Sequence, residues 1–564
     1  MDSFTQTART AYFSMEIALR KEIPTYAGGL GILAGDTLRS AADLDIPMVG
    51  VTLVSRNGYF RQELDARGLQ IEHAEPWEPK RWARALDARV SVPIGGHPVW
   101  IGGWLYVVVG KHGGRQPVVL LDTDLPENAQ EDREITDQLY GGDTAHRLRQ
   151  EIVLGIGGVR MLHALGIHTP HYHMNEGHSA LLTLELLRRY AYPDSDVREG
   201  ESHFNVPRVR QHCNFTTHTP VDAGHDQFSY DLVEHWLGEF IGLSTIKQFG
   251  GEDRLNMTRL ALNLSDYVNG VAKRHAQVSR AMFPGYKVAS ITNGVHPGTW
   301  TSSSFAALFD AMLPGWDYEP ELLVRADCCL PDQAVWEAHV AAKAQLLDGI
   351  ERRCGVRMDP ACATLGFARR MTAYKRPELL FSDLERLRGI AQKWPIQIVL
   401  AGKAHPHDQP GKALIAQLLG FARALDGHVR VVYLPDYGME LASLLVAGVD
   451  VWLNTPLPPL EASGTSGMKA AFNGVPSLSV LDGWWLEGCI EGVTGWAVGT
   501  PTSTAIEAAA AAALYEKLER VVLPLFYGER APWVAVMKGA IAKNASVFNS
   551  LRMMRRYAAE AYLR

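Results

Sequence analysis

Short apolar runs bounded by turn residues, separated by stretches of helical periodicity, recur through the second half of the chain. The runs at 363–368, 396–401, 429–434, 449–453 and 476–481 predict buried strands. The intervening stretches near 377–394, 411–425, 438–447 and 467–473 predict helices. Such alternation predicts an α/β fold whose parallel sheet is covered on both faces. Ligands then gather at the carboxyl ends of the strands.

The first half carries a less regular version of this pattern. An apolar start at Ala11 to Met15 precedes a helical stretch from Leu33 to Leu44 and a strand from Met48 to Val54. Leu105 to Val109 and Val118 to Leu121 are strand-like. The polar, acidic stretch from Pro126 to Asp143 is expected as a long exposed loop, of the kind that gates a site. From residue 150 the pattern is again α/β, with Leu181, Leu184 and Leu187 on one helical face after His171-Tyr-His-Met-Asn-Glu-Gly-His178. Phe215 to Pro220 has the character of a strand end, and Ile291 to Trp300 that of a strand broken by Pro297 and Gly298. The irregular sequence at 301–335 is expected to join two units. A last amphipathic stretch with Val547, Leu551, Met554, Tyr557 and Ala561 at helical spacing is expected to pack on a surface.

Composition narrows the class. At 564 residues the chain accommodates two or more domains, and a net charge of −7 argues against a nucleic-acid-coating surface. Any anion site is therefore a local cluster. Six scattered cysteines without a C-x-x-C pattern suggest a reduced, cytoplasmic chain with no zinc module or disulfide framework. Met1-Asp-Ser-Phe lacks the pattern of a secretory signal, no apolar run reaches membrane-spanning length, and Ala508 to Ala513 is a helix former. The three histidines 171, 173 and 178 lack a carboxylate at zinc-motif spacing and are expected to be polar strand-end residues, with no metal.

Three motifs carry chemistry. Glu461-Ala-Ser-Gly-Thr-Ser-Gly-Met-Lys469 runs from a strand through a small-residue loop into a helix start. It suits anion binding at unpaired amides, a lysine that pairs with phosphate, or a desolvated lysine that reacts with an aldehyde; equally, it suits a simple turn with a surface lysine. Tyr26-Ala-Gly-Gly-Leu-Gly31 before a helix is a second candidate anion site or a tight turn. Arg369-Arg370-Met-Thr-Ala-Tyr374-Lys375-Arg376 sets four cations at a strand-to-helix junction, on the sheet edge that also carries Glu461 to Lys469.

Together with Asn175 to Leu181, Thr217 to Pro220, Thr292 to Trp300 and Val399 to Lys403, these blocks resemble the α-glucan (glycogen, starch or maltodextrin) phosphorylases, in the order found in that family. The compact, short-chain branch is the better match. The resemblance implies a GT-B architecture of two Rossmann-like domains facing across a cleft: 1–310 binding glucan and phosphate, 311–530 binding the cofactor, and 531–564 forming helices that pack back on the first. It implies a pyridoxal 5′-phosphate enzyme, with Lys469 resembling the lysine that forms the Schiff base. Trp300, Tyr437, Gly464 and Thr465 match residues lining the cofactor, and Arg370 and Lys375 match phosphate ligands, joined by the amide of Gly29. Asn293, His218, Glu461 and Ser463 match groups that hold glucosyl hydroxyls, Leu30 matches an apolar sugar contact, and Arg369 is grouped with the substrate residues. Phosphorolysis of α-1,4-glucan to α-D-glucose 1-phosphate, with retention, is the implied reaction, with the substrate phosphate acting as acid. A homodimer without an N-terminal phosphorylation segment is also implied. Thr372-Ala373 and Gly298-Thr299 depart from the pattern of the long members, which carry His-Glu and an arginine pair there. A sugar-nucleotide glycosyltransferase without the cofactor and a non-catalytic glucan-binding protein are the competing readings.

Overall fold

The computed structural model describes residues 8–221, 224–500 and 506–563; the N-terminal Met1-Asp-Ser-Phe lies outside them. The first half forms one large sheet. Its labelled strands are β1 (Thr10–Phe13), β2 (Met48–Leu53), β3 (His97–Val109), β4 (Arg115–Asp122), β5 (His171–Asn175), β6 (Cys213–Thr216), β7 (Tyr267–Gly270) and β8 (Ala289–Ser290). Their order is β8-β7-β6-β5-β1-β2-β4-β3, with Arg84–Ala85 and Val90–Ile94 completing ten strands against β3. Every neighbouring pair from β8 to β4 is parallel, and β3 is antiparallel to β4.

The second half forms a fully parallel sheet of six strands: β9 (Ala363–Ala368), β10 (Ile396–Ala401), β11 (Arg430–Leu434), β12 (Val451–Asn454), β13 (Ser477–Val480) and β14 (Gly495–Val498). The order is β11-β10-β9-β12-β13-β14. The mixed α/β fold with parallel sheets is the one the hydrophobic pattern implies. In each sheet the order reverses beside the first strand, between β1 and β5 and between β9 and β12. A crevice opens at the carboxyl ends on either side of such a switch point, and ligands bind there.

Each sheet has its own apolar core. Val295, Trp300, Phe305 and Phe309 belong to the second. The sequence at 301–335, expected to be irregular, is largely helical: Ser303–Met312, Pro320–Arg325 and Ala326–Cys329 precede the long helix Asp332–Cys354. Prolines 320 and 331 sit at or just before the first turn of a helix, where their missing N–H has no partner to lose. The strand expected from Ile291 ends at Ser290, and Pro297–Trp300 is one short helical turn. The stretch Pro126 to Asp143 is not an exposed loop. Asp132, Ile135, Thr136 and Leu139 are buried in it, and the Thr136 hydroxyl accepts the amide of Thr123.

Three further features position the site. Helix α1 (Gly29–Asp43) runs between the two halves. Helix α2 (Ser466–Ala471) follows the Glu461 loop. Helix α3 (Ser550–Tyr557) returns to the first sheet, where the Tyr562 hydroxyl meets His173 Nδ1 at 2.6 Å and the Tyr557 hydroxyl meets Thr216 at 3.2 Å. Leu551, Met554, Tyr557 and Ala561 are buried as the spacing predicts, but Val547 is 43% exposed because it precedes the helix.

Beneath β9 and β12, buried Asp450 is held by Lys343 Nζ at 2.6 Å, His339 Nε2 at 2.8 Å and the Thr364 amide at 2.7 Å. Burial alone would raise its pKa, but Lys343 and His339 outweigh it and hold the carboxyl below the ordinary aspartate value. Replacing Asp450 with alanine strands a buried ammonium, and should lower stability by about 3–5 kcal/mol. Thermal melts should show this deficit in full above roughly pH 4, and shrinking below it as the wild-type carboxylate protonates.

Candidate functional site

At the switch point of the second sheet, Arg369 and Arg370 leave β9, and the chain from β12 turns back through Glu461. Glu461 is buried. Its carboxylate receives Lys375 Nζ at 2.8 and 2.7 Å and Arg369 Nη2 at 2.7 Å. Burial opposes its charge, yet Arg369 and Lys375 prevail and hold it below the ordinary glutamate value. The backbone N–H of Glu461 donates to Asp482 Oδ2 at 2.8 Å, and that of Gly483 donates to Asp482 Oδ1 at 2.9 Å. Burial pushes the Asp482 carboxyl up to about 6, against the pull of these two amides. Arg369, Glu461, Ser463, Gly464, Asp482 and Trp484 bound a small polar crevice. Gly464 has φ of 81°, a left-handed value that turns the loop back past the Glu461 side chain. Ser463 Oγ is buried and has no hydrogen-bond partner among the described residues.

The same loop delivers Lys469 on α2. Its amine is buried and lies 3.6 Å from the ring centre of Trp300. Among the described residues it makes neither an ion pair nor a hydrogen bond. Burial lowers its pKa to about 8, with Asp36 pulling upward and Arg39 pushing further down. Trp300 is fixed by its indole N–H, which donates to Asp36 Oδ2 at 2.7 Å. Asp36 also accepts from the His296 amide at 3.1 Å and from Arg39 Nη1 at 3.3 Å. The Asn473 side chain donates to the carbonyls of Trp300 at 2.8 Å and Lys469 at 3.1 Å, locking the two together.

Arg370 points the other way. It is solvent-accessible, and Tyr59, Glu16, Tyr374 and Tyr140 are near enough to act on its charge. Its surroundings withdraw water, which disfavours the cation, but these four groups raise its pKa overall. Among the described residues it has no ion-pair or hydrogen-bond partner. A Cβ placed on Gly28, at the start of α1, would stand 3.1 Å from Arg370 Nη2. The first i to i−4 bond of α1 is made by the amide of Ile32, which leaves those of Gly29, Leu30 and Gly31 at an open helix end. Gly29 is exposed there and Leu30 half-buried.

His218 and Asn293 stand at the carboxyl edge of the first sheet. His218 Nε2 lies 2.6 Å from Asn175 Oδ1, and its amide donates to Glu176 Oε2 at 2.8 Å. Asn175 Nδ2 donates to Ser14, so its oxygen faces the imidazole and His218 carries its proton on Nε2. Burial, then His275, His173 and His178, drive the His218 pKa well down and keep the ring neutral. Glu176 holds this corner at φ of 72°, an unusual value for a residue with a side chain. Asn293 is buried, with Oδ1 unpartnered among the described residues. No hydrogen bond or ion pair among the described residues joins either to Lys469. Tyr437 is half-buried against the second core.

The sequence reading therefore located Lys469, Trp300, Arg369, Arg370, Lys375, Glu461, Ser463 and Gly464 around one junction. It did not identify Asp36 and Asp482, which hold Trp300 and Glu461, or Glu16 and Tyr140, which bond each other beside the turn at Gly28. Glu16 lies three residues past the end of β1, on the side of the sheet where ligands gather. Of the three histidines, His173 is buried inside the sheet and bonded to Tyr562 and Thr216 rather than facing a cleft. Among the described residues no cluster of three or more His, Cys, Asp or Glu is arranged to hold a metal, and no helix is long and apolar enough to cross a membrane.

Residues 225–491 match the family described as carbohydrate phosphorylase. The maltodextrin phosphorylase of Thermococcus litoralis is 38% identical over 98% of this chain and 70% of its own length. The glycogen phosphorylase of Mycobacterium tuberculosis is 37% identical over 98% of this chain and 70% of its length. That of Aquifex aeolicus is 36% identical over 98% of this chain and 85% of its length.

An amine that loses its proton near pH 8 reacts with aldehydes where ordinary lysines, at about 10.4, do not. Limiting aldehyde trapped with borohydride should label Lys469 ahead of the exposed lysines, at a rate that rises through about pH 8. Peptide mapping reads this directly, and uniform labelling of all lysines would remove the distinction.

Proposed function

The chain belongs to the carbohydrate phosphorylase family of glycosyltransferases, and we propose that it catalyses phosphorolysis of α-1,4-glucan to α-D-glucose 1-phosphate, with retained configuration and with pyridoxal 5′-phosphate held at Lys469. Maltodextrin and glycogen, named for the relatives, set the substrate class. The observation that carries the cofactor assignment is the Lys469 amine: buried, lacking an ion pair or hydrogen bond among the described residues, with its pKa brought down to about 8, and set over an indole that suits a flat aromatic ring. Trp300, Tyr437, Gly464 and Thr465 would surround that ring. When bound, the cofactor supplies a phosphate that shares a proton with the substrate phosphate.

The remaining roles follow from the residues themselves. Arg370, free of any partner among the described residues and facing the open end of α1, binds inorganic phosphate together with the amide of Gly29. Glu461, kept ionised by Arg369 and Lys375, accepts a hydroxyl of the glucosyl unit and cannot serve as a proton donor near pH 7. Asp482 has committed one oxygen to the backbone N–H of Glu461 and the other to that of its neighbour Gly483. A retaining glycosidase needs one carboxylate as nucleophile and another as acid. Neither of these two carboxylates is free for such work, which favours substrate phosphate as the proton source. Ser463 Oγ and Asn293 Oδ1, buried without partners, are suited to sugar hydroxyls, as is the neutral His218; Leu30 covers an apolar face of the ring. Lys375 supplies positive charge to both the carboxylate and the phosphate end of the site.

Incubation with maltodextrins of graded length, phosphate and added cofactor should yield glucose 1-phosphate. Lys469→Ala should lose the absorbance of bound cofactor and turnover together, by at least about a thousandfold; retained turnover in a colourless variant overturns the assignment. Arg370→Ala should raise the KM for phosphate at least about tenfold, with little change for glucan.

A further inference from the structure

Glu16 leaves β1 at the switch point of the first sheet and is buried. Its Oε2 accepts the amides of Ala27 at 2.5 Å and Gly28 at 3.0 Å, and its Oε1 accepts the hydroxyl of Tyr140 at 2.9 Å. A Cβ on Gly31 would lie 2.6 Å from Oε2, so the carboxylate fits directly under the turn that opens α1. Arg370 approaches the same turn from the other side, at Gly28. A buried carboxylate and a guanidinium that share one turn attract each other, and within reach they form a bidentate pair. Here they do not. Three donors already occupy the Glu16 oxygens, and the arginine keeps its fork open.

Tyr140 is the donor that can be removed without touching the backbone. It comes from the stretch expected to be an exposed loop, has φ of 55°, and lies half-buried with Arg147 stacked 4.5 Å over its ring. Arg147 is itself tied to Glu151 at 3.0 Å and to Asp226 at 3.0 Å. The ring also meets Tyr59 and His178 edge-on. The hydroxyl is therefore aimed by packing on several sides.

Building on the reading of Arg370 as a phosphate ligand, we propose that Tyr140 is a positioning residue for phosphate: its hydroxyl holds Glu16 against the Ala27–Gly28 turn and so prevents the carboxylate from capturing Arg370. Without that hydroxyl, Glu16 Oε1 has lost its donor; Arg147 is already paired with Glu151 and Asp226, which leaves Arg370 as the cation without a partner among the described residues. The internal pair then competes with the incoming dianion. Glucan, which is uncharged, does not feel the competition.

The test is a double-mutant cycle on the holoenzyme. Tyr140→Phe keeps the ring and its stacking, and should raise the KM for phosphate roughly tenfold, the scale of one hydrogen bond to a charged group, with the KM for glucan and the thermal midpoint unchanged. Glu16→Gln keeps an oxygen for the two amides but has no charge with which to hold Arg370. In that background, Tyr140→Phe should change the phosphate KM by less than about twofold. An unchanged phosphate KM in Tyr140→Phe, an equal effect in both backgrounds, or a parallel rise for glucan together with a lower melting point would each overturn the proposal. Arg370→Ala separates the layers. If it leaves the phosphate KM unchanged, the reading of Arg370 fails. If it raises that KM while Tyr140→Phe does not, only the role of Tyr140 fails.

Discussion

The chemistry at this junction depends on taking one ammonium out of water. Lys469 would be an ordinary cation if its loop were exposed. Burial on the indole of Trp300, among the described residues without an ion pair or hydrogen bond, brings its pKa down to about 8, so that a neutral fraction is within reach near neutrality. The indole is held by Asp36, which accepts its N–H, and Asp36 belongs to α1, whose opening turn lies against Arg370. One helix from the first half thus fixes the indole at one end of the site and lies against Arg370 at the other, so that the surroundings of a lysine in the second half depend on an aspartate in the first.

Charge is divided between neighbours with similar economy. Arg369 and Arg370 are adjacent at a strand end, where successive side chains point in opposite directions. The first joins Lys375 in neutralising Glu461, and the second is left without a partner among the described residues. A uniform basic patch would bind anions indiscriminately. Splitting the patch fixes a carboxylate where a neutral sugar is to be read, and keeps a cation where a dianion is to be held.

Much of this could be read from the residues in order, and the remainder could not for identifiable reasons. Strands at 363–368 and 396–401 coincide with β9 and β10 because strands buried on both faces are continuous apolar runs. The stretch 126–143 was misjudged because its few apolar residues, Ile135 and Leu139 among them, are outnumbered by charges that face solvent. In the site, residue types announced the chemistry of Lys469 and the arginines. Their partners did not announce themselves. Nothing local says that Lys375 meets Glu461, that Asp36 holds Trp300 or that Tyr140 caps Glu16, since each pairing joins segments far apart in the chain.

The return of α3 to the first sheet bears on how the molecule is made. Tyr12 and His173 lie on strands completed early in synthesis, yet the rings that cover them, Tyr557 and Tyr562, are translated only after the whole second sheet. Until then the nascent chain presents an aromatic, half-polar sheet face to the cell. Vectorial folding of the first sheet therefore stops one layer short, and its last layer is added only once the ribosome has passed residue 562.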